Sequence, residues 1–511
     1  MKKLSYILFV VLLTACSLEE DPRDQITEDQ VYTTPEALYR NTVATLYTYL
    51  GGTVDGQGLQ GTGRCVWDLQ TFSSDEAIIP TRGTDWYDGG LWQSMYKHSW
   101  NAGNEIVGNS WFYLYKVITH CNRSLEILER YKSLAGYRYD EWQYEVRALR
   151  AMYYWYLIDL FGDVPLVTAT NISMNDVTRE SRSNVFKFCE NELTAAMKQV
   201  ASAYSNKPGE YYGRMTKEVV LFVLAKLMLN AEVYTGTPRW EDCIAYCEQN
   251  HRYELAKYYP DNFIVHNESS PENIFVIPLD KDLIANVQWN LRRSLHYRHA
   301  NAWGFVGENG ISATQRVLDI NGFSEDEEQD LRFYTNYYYG TLYGPDGRAI
   351  LDRQGKQLIY NPREVKMDLS DSPYLETAGA RMRKYEIDRN SYKGGLLVDN
   401  DIVLFRYADV LLMRAEAMLR LGQDGHIYYD RVRERAFMEP RPYTLDNLYE
   451  ERLIELAWEG WRRQDMIRFG RYKSLYEGPD AVDESDGHTT LFPIPAEVRT
   501  LNPKITQNPG Y

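Results

Sequence analysis

The stretch Tyr144-Glu145-Val146-Arg147-Ala148-Leu149-Arg150-Ala151-Met152-Tyr153-Tyr154-Trp155-Tyr156-Leu157-Ile158-Asp159-Leu160-Phe161-Gly162-Asp163-Val164-Pro165 decides the fold. From Tyr144 to Phe161 it contains no helix breaker and is apolar almost all round, which predicts a helix buried on every side. Gly162 stops it and Pro165 prevents its resumption. Such a helix needs other helices around it, and the sequence supplies them in both directions. Upstream, Trp111–Tyr131 has helical spacing. Pro35–Leu50 reads as a helix with Pro35 at its first position, capped near Thr33 or Thr34. Downstream lies Asn184–Tyr204. Met215–Tyr234 and Trp240–Asn250 then form a hairpin about Gly236-Thr237-Pro238. Leu404–Leu421 and His426–Phe437 form a second about Gly422-Gln423-Asp424-Gly425, and Leu445–Phe469 reads as a final long helix.

Hairpins of roughly 34 residues look like tetratricopeptide-type units. Residues 251–400 differ: apolar runs are short, as at Ile274–Leu279, turns are frequent, and Tyr337-Tyr338-Tyr339 interrupts them. Gly51–Gly63 is a glycine-rich loop. The predicted class is therefore mainly α. A helical scaffold covers about 34–250 and 401–511, and a loop-rich, irregular insertion covers about 251–400, with 51–100 beside it. Loops carried on a rigid frame are where function concentrates.

Composition narrows the function. The 511 residues carry 56 Lys plus Arg against 72 Asp plus Glu, a net charge of −16, which argues against a dedicated nucleic-acid binder. With 25% charged and 44% hydrophobic residues the chain is globular rather than disordered. A mean hydropathy of −0.49 leaves no room for many membrane-spanning helices. The 42 tyrosines outnumber the 16 Phe and 12 Trp together, which suits a wet binding surface or a tyrosine-rich core equally. At the amino end, Lys2 and Lys3 precede an apolar stretch from Leu4 to Leu13. That is too short for a bilayer span of about 20 residues, but it suits a secretory signal. It ends in Leu13-Thr14-Ala15-Cys16, which resembles a bacterial lipobox whose cysteine is acylated and becomes the first residue. Residues 1–15 are thus read as a signal peptide and 16–33 as lipid anchor and tether. Cys65, Cys121, Cys189, Cys243 and Cys247 show no zinc-ligand spacing and are read as buried thiols.

Catalytic motifs are absent. There is no phosphate loop, HExxH or GxSxG. Gly56-Gln57-Gly58-Leu59-Gln60-Gly61 matches GxGxxG by letter, but it lacks the strand before and helix after that a dinucleotide needs. His296 and His299 stand among Arg292, Arg293 and Arg298, which disfavours a metal. Asp326-Glu327-Glu328 lacks the alternating oxygen spacing of a calcium loop. Glu451, Glu455 and Glu459 share one helical face, and Arg452, Arg462 and Arg463 are placed to pair with them. Arg406, Asp409 and Glu416 read as a second structural charge ladder. No catalytic residue, metal site or cofactor is expected.

Several ordered blocks resemble the SusD/RagB family of outer-membrane nutrient-binding lipoproteins. The first runs from Glu145-Val146-Arg147-Ala148-Leu149-Arg150-Ala151 through Leu160-Phe161-Gly162-Asp163-Val164-Pro165-Leu166-Val167. Others are Arg406-Tyr407-Ala408-Asp409-Val410-Leu411-Leu412 with Ala415-Glu416-Ala417, and Val432-Arg433-Glu434-Arg435-Ala436. Then come Glu451-Arg452, Glu455-Leu456, Glu459-Gly460, Arg462, Asp465-Met466-Ile467-Arg468, Pro493-Ile494-Pro495 and the terminal Gln507-Asn508-Pro509-Gly510-Tyr511. Asp430, where Asn is usual, and Phe437, where Gly is usual, depart from the pattern. The resemblance covers nearly the whole mature chain. It implies a single domain over 34–511: a right-handed array of tetratricopeptide-like helix pairs carrying an irregular ligand-binding half. It further implies a non-enzymatic, cell-surface protein anchored to the outer membrane, which captures an oligo- or polysaccharide and delivers it to a SusC-like TonB-dependent transporter. In lipoproteins of the Bacteroidetes type, acidic residues after the cysteine, here Glu19-Glu20-Asp21, favour surface export. A peptide- or protein-binding member of the same fold is the alternative, and a carbohydrate-active enzyme a more distant one.

Glycans bind by stacking a sugar's CH face on aromatic planes, with polar side chains bonding the hydroxyls. Two segments place tryptophans among glycines and polar residues outside clear helices: Asp75 through Gly90 with Trp92 following, and Trp289 through Gly304. Related glycan binders carry platform aromatics in the corresponding regions. The expected stacking surface is Trp86, Trp289 and Trp303, with Tyr87, Arg82, Asp85 and Asn301 as hydroxyl contacts. Trp92 and Trp100, among helical neighbours, are expected in the core. The lipobox carries its own test: Cys16→Ala is expected to release the protein from the membrane fraction. A variant that still sediments with outer membrane and incorporates labelled palmitate contradicts the lipobox reading.

Overall fold

Every residue from Ala148 to Phe161 is buried, so the stretch that is apolar all round does form the central helix of the molecule. The computed structural model describes residues 28–51, 56–284, 286–324 and 330–511. The expected signal peptide, Cys16, most of the tether and Asp326-Glu327-Glu328 lie outside the described residues. The main helices are α1 (Glu105–Arg130), α2 (Tyr139–Phe161), α3 (Arg182–Ala196), α4 (Lys217–Leu229), α5 (Trp240–Gln249), α6 (Tyr407–Arg420), α7 (His426–Arg435), α8 (Leu445–Leu456) and α9 (Arg462–Arg468). They pack in chain order, α1 on α2, α2 on α3, α3 on α4, α4 on α5, α5 on α6 and α6 on α7. The molecule is mainly helical, and one hydrophobic core runs from Leu38 to Ile505.

Capping sets several ends more sharply than periodicity does. The helix expected from Trp111 begins at Glu105, because Asn104 Oδ1 accepts from the Ile106 and Val107 N–H groups at 2.9 and 3.2 Å. Thr34 Oγ1 accepts from Ala37 N–H at 3.1 Å and starts the first helix, whose Arg40–Ala44 turn is π-wound before it ends at Tyr47. Ser181 caps α3, which stops at Ala196 rather than continuing to Tyr204. The helix expected over Met215–Tyr234 is broken at Asn230. The Asn230 amide bonds Lys226 O and Gln464, and its Oδ1 accepts from Arg468.

Two differences matter more. Leu404–Arg406 is not helical; it belongs to β2 (Ile402–Arg406), antiparallel to β1 (Asn273–Ile277) with a bulge near Phe405. This pair clamps the two ends of the insertion together. A second antiparallel pairing, Ala77–Ile78 with Ser312–Ala313, brings part of the 51–100 segment against the insertion.

The expected Leu445–Phe469 helix is interrupted between Leu456 and Arg462, where Trp458 and Gly460 take positive φ of 67° and 75°. The carbonyls freed by the break are taken by side chains. Glu455 O accepts from Tyr259 at 3.1 Å, Ala457 O from Lys384 at 2.6 Å, Trp458 O from Trp67 at 3.1 Å and Glu459 O from Gln60 at 2.9 Å. The three glutamates are structural, as expected, but their partners are not those expected. Glu451 pairs with Arg332 and Arg433, Glu455 with Arg332, Arg406 and Arg435, and Glu459 with Lys384 and Arg406. Arg452 turns instead to Asp409 and Asp465, Arg462 to Asp75, and Arg463 to Asp159. All five described cysteines are buried and unbridged.

Burial works against ionisation of Glu455, yet Arg435, Arg406 and Arg332 outweigh it and hold the carboxylate well below its usual range. Glu76 is the opposite case. It is buried, its Oε1 accepts from Trp458 N–H, its Oε2 has no partner among the described residues, and burial pushes its pKa from 4.5 up to about 7. A carboxyl raised in the native state contributes stability below its unfolded pKa that is lost as pH rises through the folded value. Glu76→Gln keeps the acceptor and stays neutral. It is expected to unfold at higher urea than wild type at pH 8, by of the order of 2–3 kcal/mol more than at pH 5. A variant-to-wild-type difference that is the same at both pH values contradicts this.

Candidate functional site

Trp86 sits just past a tight turn in which Arg82 and Asp85 exchange backbone hydrogen bonds at 2.9 and 3.1 Å. Its φ of 60° is unusual for so large a side chain, and it swings the indole across to the insertion. There Nε1 donates to Glu308 O at 2.8 Å, and the ring lies so close to Gly310 that a Cβ would stand 2.6 Å from it. Only glycine fits. Trp92 meets Trp86 edge-on, with centroids 6.0 Å apart, and its own Nε1 donates to Asp88 at 2.7 Å.

The opposite wall is Trp289. Its backbone N–H donates to Gly61 O at 2.9 Å, and a Cβ on Gly61 would strike Val287 O at 2.4 Å. Gly61, the last glycine of the GxGxxG look-alike, therefore serves a close approach between two backbones. Arg292 stacks 5.0 Å from the Trp289 ring. The indole N–H of Trp289 has no partner among the described residues. Beneath it Arg293 is fixed by two bonds to Asp68, at 2.8 and 2.6 Å.

Trp86, Trp92 and Trp289 thus wall a cleft of about 610 Å³, completed by Thr62, Gly63, Arg64, Val287, Arg293, Glu308 and Leu396. That volume suits a small ligand or a few sugar rings. Thr62 is buried and its hydroxyl has no hydrogen-bond partner among the described residues, an unusual state for a buried polar group. Arg64 is anchored by Asp88 and Glu105. Glu308 is the single carboxylate among the described residues lining the cleft. Burial raises its pKa, and its ion pair with Arg292 is loose at 3.6 Å. Glycoside hydrolysis needs two carboxyl groups across the bond.

Other expected contacts fall elsewhere. Arg82 is buried and spends its guanidinium on Leu375 O at 2.6 Å and on Ser312 Oγ and Ala378 O, each at 3.0 Å. It is a structural tie across the loops rather than a ligand contact. Trp303 does not join Trp86 and Trp289. It donates to Tyr343 O at 3.2 Å and lines two further cavities, of about 460 and 580 Å³, with Tyr334, Tyr338 and Arg383. Asp85 is exposed and accepts from Tyr297 OH at 2.7 Å, while Tyr87 and Asn301 are exposed and line none of these cavities. Trp92 and Trp100 are buried, although Trp92 still forms part of the cleft wall. Thr62, Arg64 and Glu308 were not anticipated. Their one signal was the glycine-rich loop ahead of Arg64.

The SusD family model matches residues 271–511, and a second, described as starch-binding and associating with the outer membrane, matches residues 69–229. In sequence the chain is 26% identical to SusD-like protein P25 of Formosa agariphila over the whole of both chains. It is 23% identical to the starch-binding protein SusD of Bacteroides thetaiotaomicron over 72% of each. In structure it is similar to surface glycan-binding protein A of Bacteroides thetaiotaomicron in complex with laminarihexaose. There the TM-score is 0.73 at 19% identity, covering 93% of this chain and 99% of that one. A SusD-like carbohydrate binding protein of Bacteroides fragilis gives a TM-score of 0.73 at 20% identity, covering 93% and 100%.

Proposed function

We propose that this chain, which belongs to the SusD/RagB family, holds an oligo- or polysaccharide in the Trp86–Trp289 cleft and passes it to a SusC-like TonB-dependent transporter. The observation that carries the binding half is the cleft itself: two half-buried indoles on facing elements, with an indole N–H at Trp289 and a buried hydroxyl at Thr62 that have no partner among the described residues. Rings offer planes to the CH faces of a sugar, and the idle donors offer bonds to its hydroxyls. On this reading the protein binds its glycan rather than hydrolysing it, and Glu308 is the one carboxylate lining the cleft among the described residues. The chain then comprises a signal peptide at 1–15, an anchor and tether at 16–33 lipidated on Cys16, and one domain over 34–511, displayed on the outer membrane surface. No helix among the described residues is long and apolar enough to cross a membrane.

Trp289→Ala and Trp86→Ala are each expected to weaken binding about 5- to 150-fold, taking roughly 1–3 kcal/mol for a ring stacked on an aromatic. Affinity electrophoresis over a broad panel of neutral and acidic polysaccharides reads this directly, with melting temperature as the folding control. If both variants are retarded like wild type on every glycan that wild type binds, the site assignment is wrong. The transporter half is checked separately. Mild detergent extraction of native membranes should bring down a β-barrel partner with the protein, and recovery of a lone monomer under such conditions counts against it.

A further inference from the structure

The two cavities that meet at Trp303 carry a chemistry that the Trp86–Trp289 cleft lacks. Arg389 lies 4.9 Å over the Trp303 ring and Arg383 lies 5.1 Å over the Tyr338 ring. Both side chains are exposed, both line the cavity of about 460 Å³, and neither has a carboxylate or side-chain hydrogen-bond partner among the described residues. The Tyr338 hydroxyl is likewise without a partner. Two other charged groups line the cavity of about 460 Å³, one of them the exposed carboxylate of Glu386. The Lys384 ammonium is buried against Glu459 and Ala457 O, and Glu386 Oε2 accepts from Val265 N–H at 2.8 Å. His299, on the adjoining wall, is kept neutral by burial, its pKa pushed down to about 3.

A guanidinium held over a ring with no carboxylate partner keeps N–H donors free for an anion, and its fork of donors pairs well with carboxylate or sulfate. The aromatic faces beside it suit the body of a sugar. In a chain of net charge −16, two uncommitted arginines on one aromatic wall run against the overall sign. Trp303 also stands five residues before Glu308, whose carbonyl holds Trp86, so the backbones of the two sites are no more than roughly 17 Å apart.

We propose that the Trp303–Tyr338 cavities form a second subsite, in which Arg383 and Arg389 bind the carboxylate or sulfate of an anionic sugar on the same glycan. This rests on the glycan reading above and narrows it to acidic polysaccharides. Rings supply the platform and the two guanidinium edges supply the charge selection.

The test uses the full chain and four probes: polygalacturonate for carboxylate, chondroitin sulfate for sulfate, and laminarin and starch as neutral controls. Wild type is expected to bind at least one anionic probe, with affinity falling steeply between 50 and 500 mM NaCl as screening rises, concentrations chosen at roughly the extremes of a useful range. The double variant Arg383→Gln/Arg389→Gln should lose about tenfold or more on that probe while keeping its melting temperature and any neutral binding. Which anionic probe responds separates carboxylate from sulfate. A double variant that binds every anionic probe like wild type overturns the proposal. So does wild-type binding to neutral probes alone, which leaves the glycan reading standing. Binding to none of the four also overturns it, and the broad panel then decides the glycan reading on its own.

Discussion

A buried arginine, Arg406, holds this structure together. Its guanidinium reaches Glu272 at 2.7 Å, Glu455 at 2.5 Å and Glu459 at 2.9 Å, with no exposure to solvent. Around it Arg332, Arg433, Arg435 and Lys384 extend the lattice to Glu451 and Asp330. An ion taken out of water costs several kcal/mol unless its partners are in place, so such a lattice forms as a whole or not at all. Its members come from the residue ahead of β1, the end of β2, α7, α8, the α8–α9 break and two places in the insertion. None of these elements can shift without leaving a buried charge unpaired. The lattice contributes specificity of arrangement more than net stability.

From there the constraint passes to the cleft. The α8–α9 break turns the Trp458 and Glu459 carbonyls toward Trp67 and Gln60, which fixes the short helix Val66–Phe72. That helix presents Asp68 to Arg293, and Arg293 N–H donates to Trp289 O at 3.0 Å. Trp289 is therefore held through three successive hydrogen-bonded steps from a buried core rather than by loop packing alone. Trp86, on the other wall, is set by its positive φ and by Gly310. A cleft built this way is formed before any ligand arrives, which spares the binding free energy an ordering cost.

The scaffold was legible because long helices write their burial into a repeating pattern. Ala148–Phe161 needed no help from tertiary context, and the hairpin turns at Gly236 and Gly422 fall where glycine permits positive φ. What stayed hidden was set by partners distant in sequence. Leu445–Phe469 has unbroken helical spacing apart from Gly460, and its interruption is decided by Tyr259, Lys384, Trp67 and Gln60, which lie 73 to 399 positions from the carbonyls they bind. The acidic residues meant for Arg452, Arg462 and Arg463 followed the one-helix assumption and failed with it. In the site, Trp86 and Trp289 are brought together as expected, while Trp303 goes to other cavities and Arg82 into the interior. Short irregular segments carry no periodicity, so sequence order says which residues are in the loops and not which loops meet.

The tyrosine excess has a structural use that explains why composition could not point to the binding face. Buried tyrosines act as hydrogen-bonding staples between helices and the segments that end them. Tyr113 bonds Tyr49 O at 2.8 Å and meets the Tyr153 hydroxyl at 3.1 Å; Tyr154 bonds Val167 O, and Tyr234 bonds Asp159, both at 2.8 Å. A phenol fills core volume and still satisfies a carbonyl or carboxylate that would otherwise be buried alone. A helical array with long connections has many such groups, so it accumulates tyrosine for internal reasons. Tryptophan has one donor and no acceptor, and at several buried positions that N–H is also spent, as at Trp67, Trp155 and Trp458. At Trp289 the indole N–H is unspent among the described residues and stands beside the open volume of the cleft, so there the same side chain keeps a donor that the core positions have used.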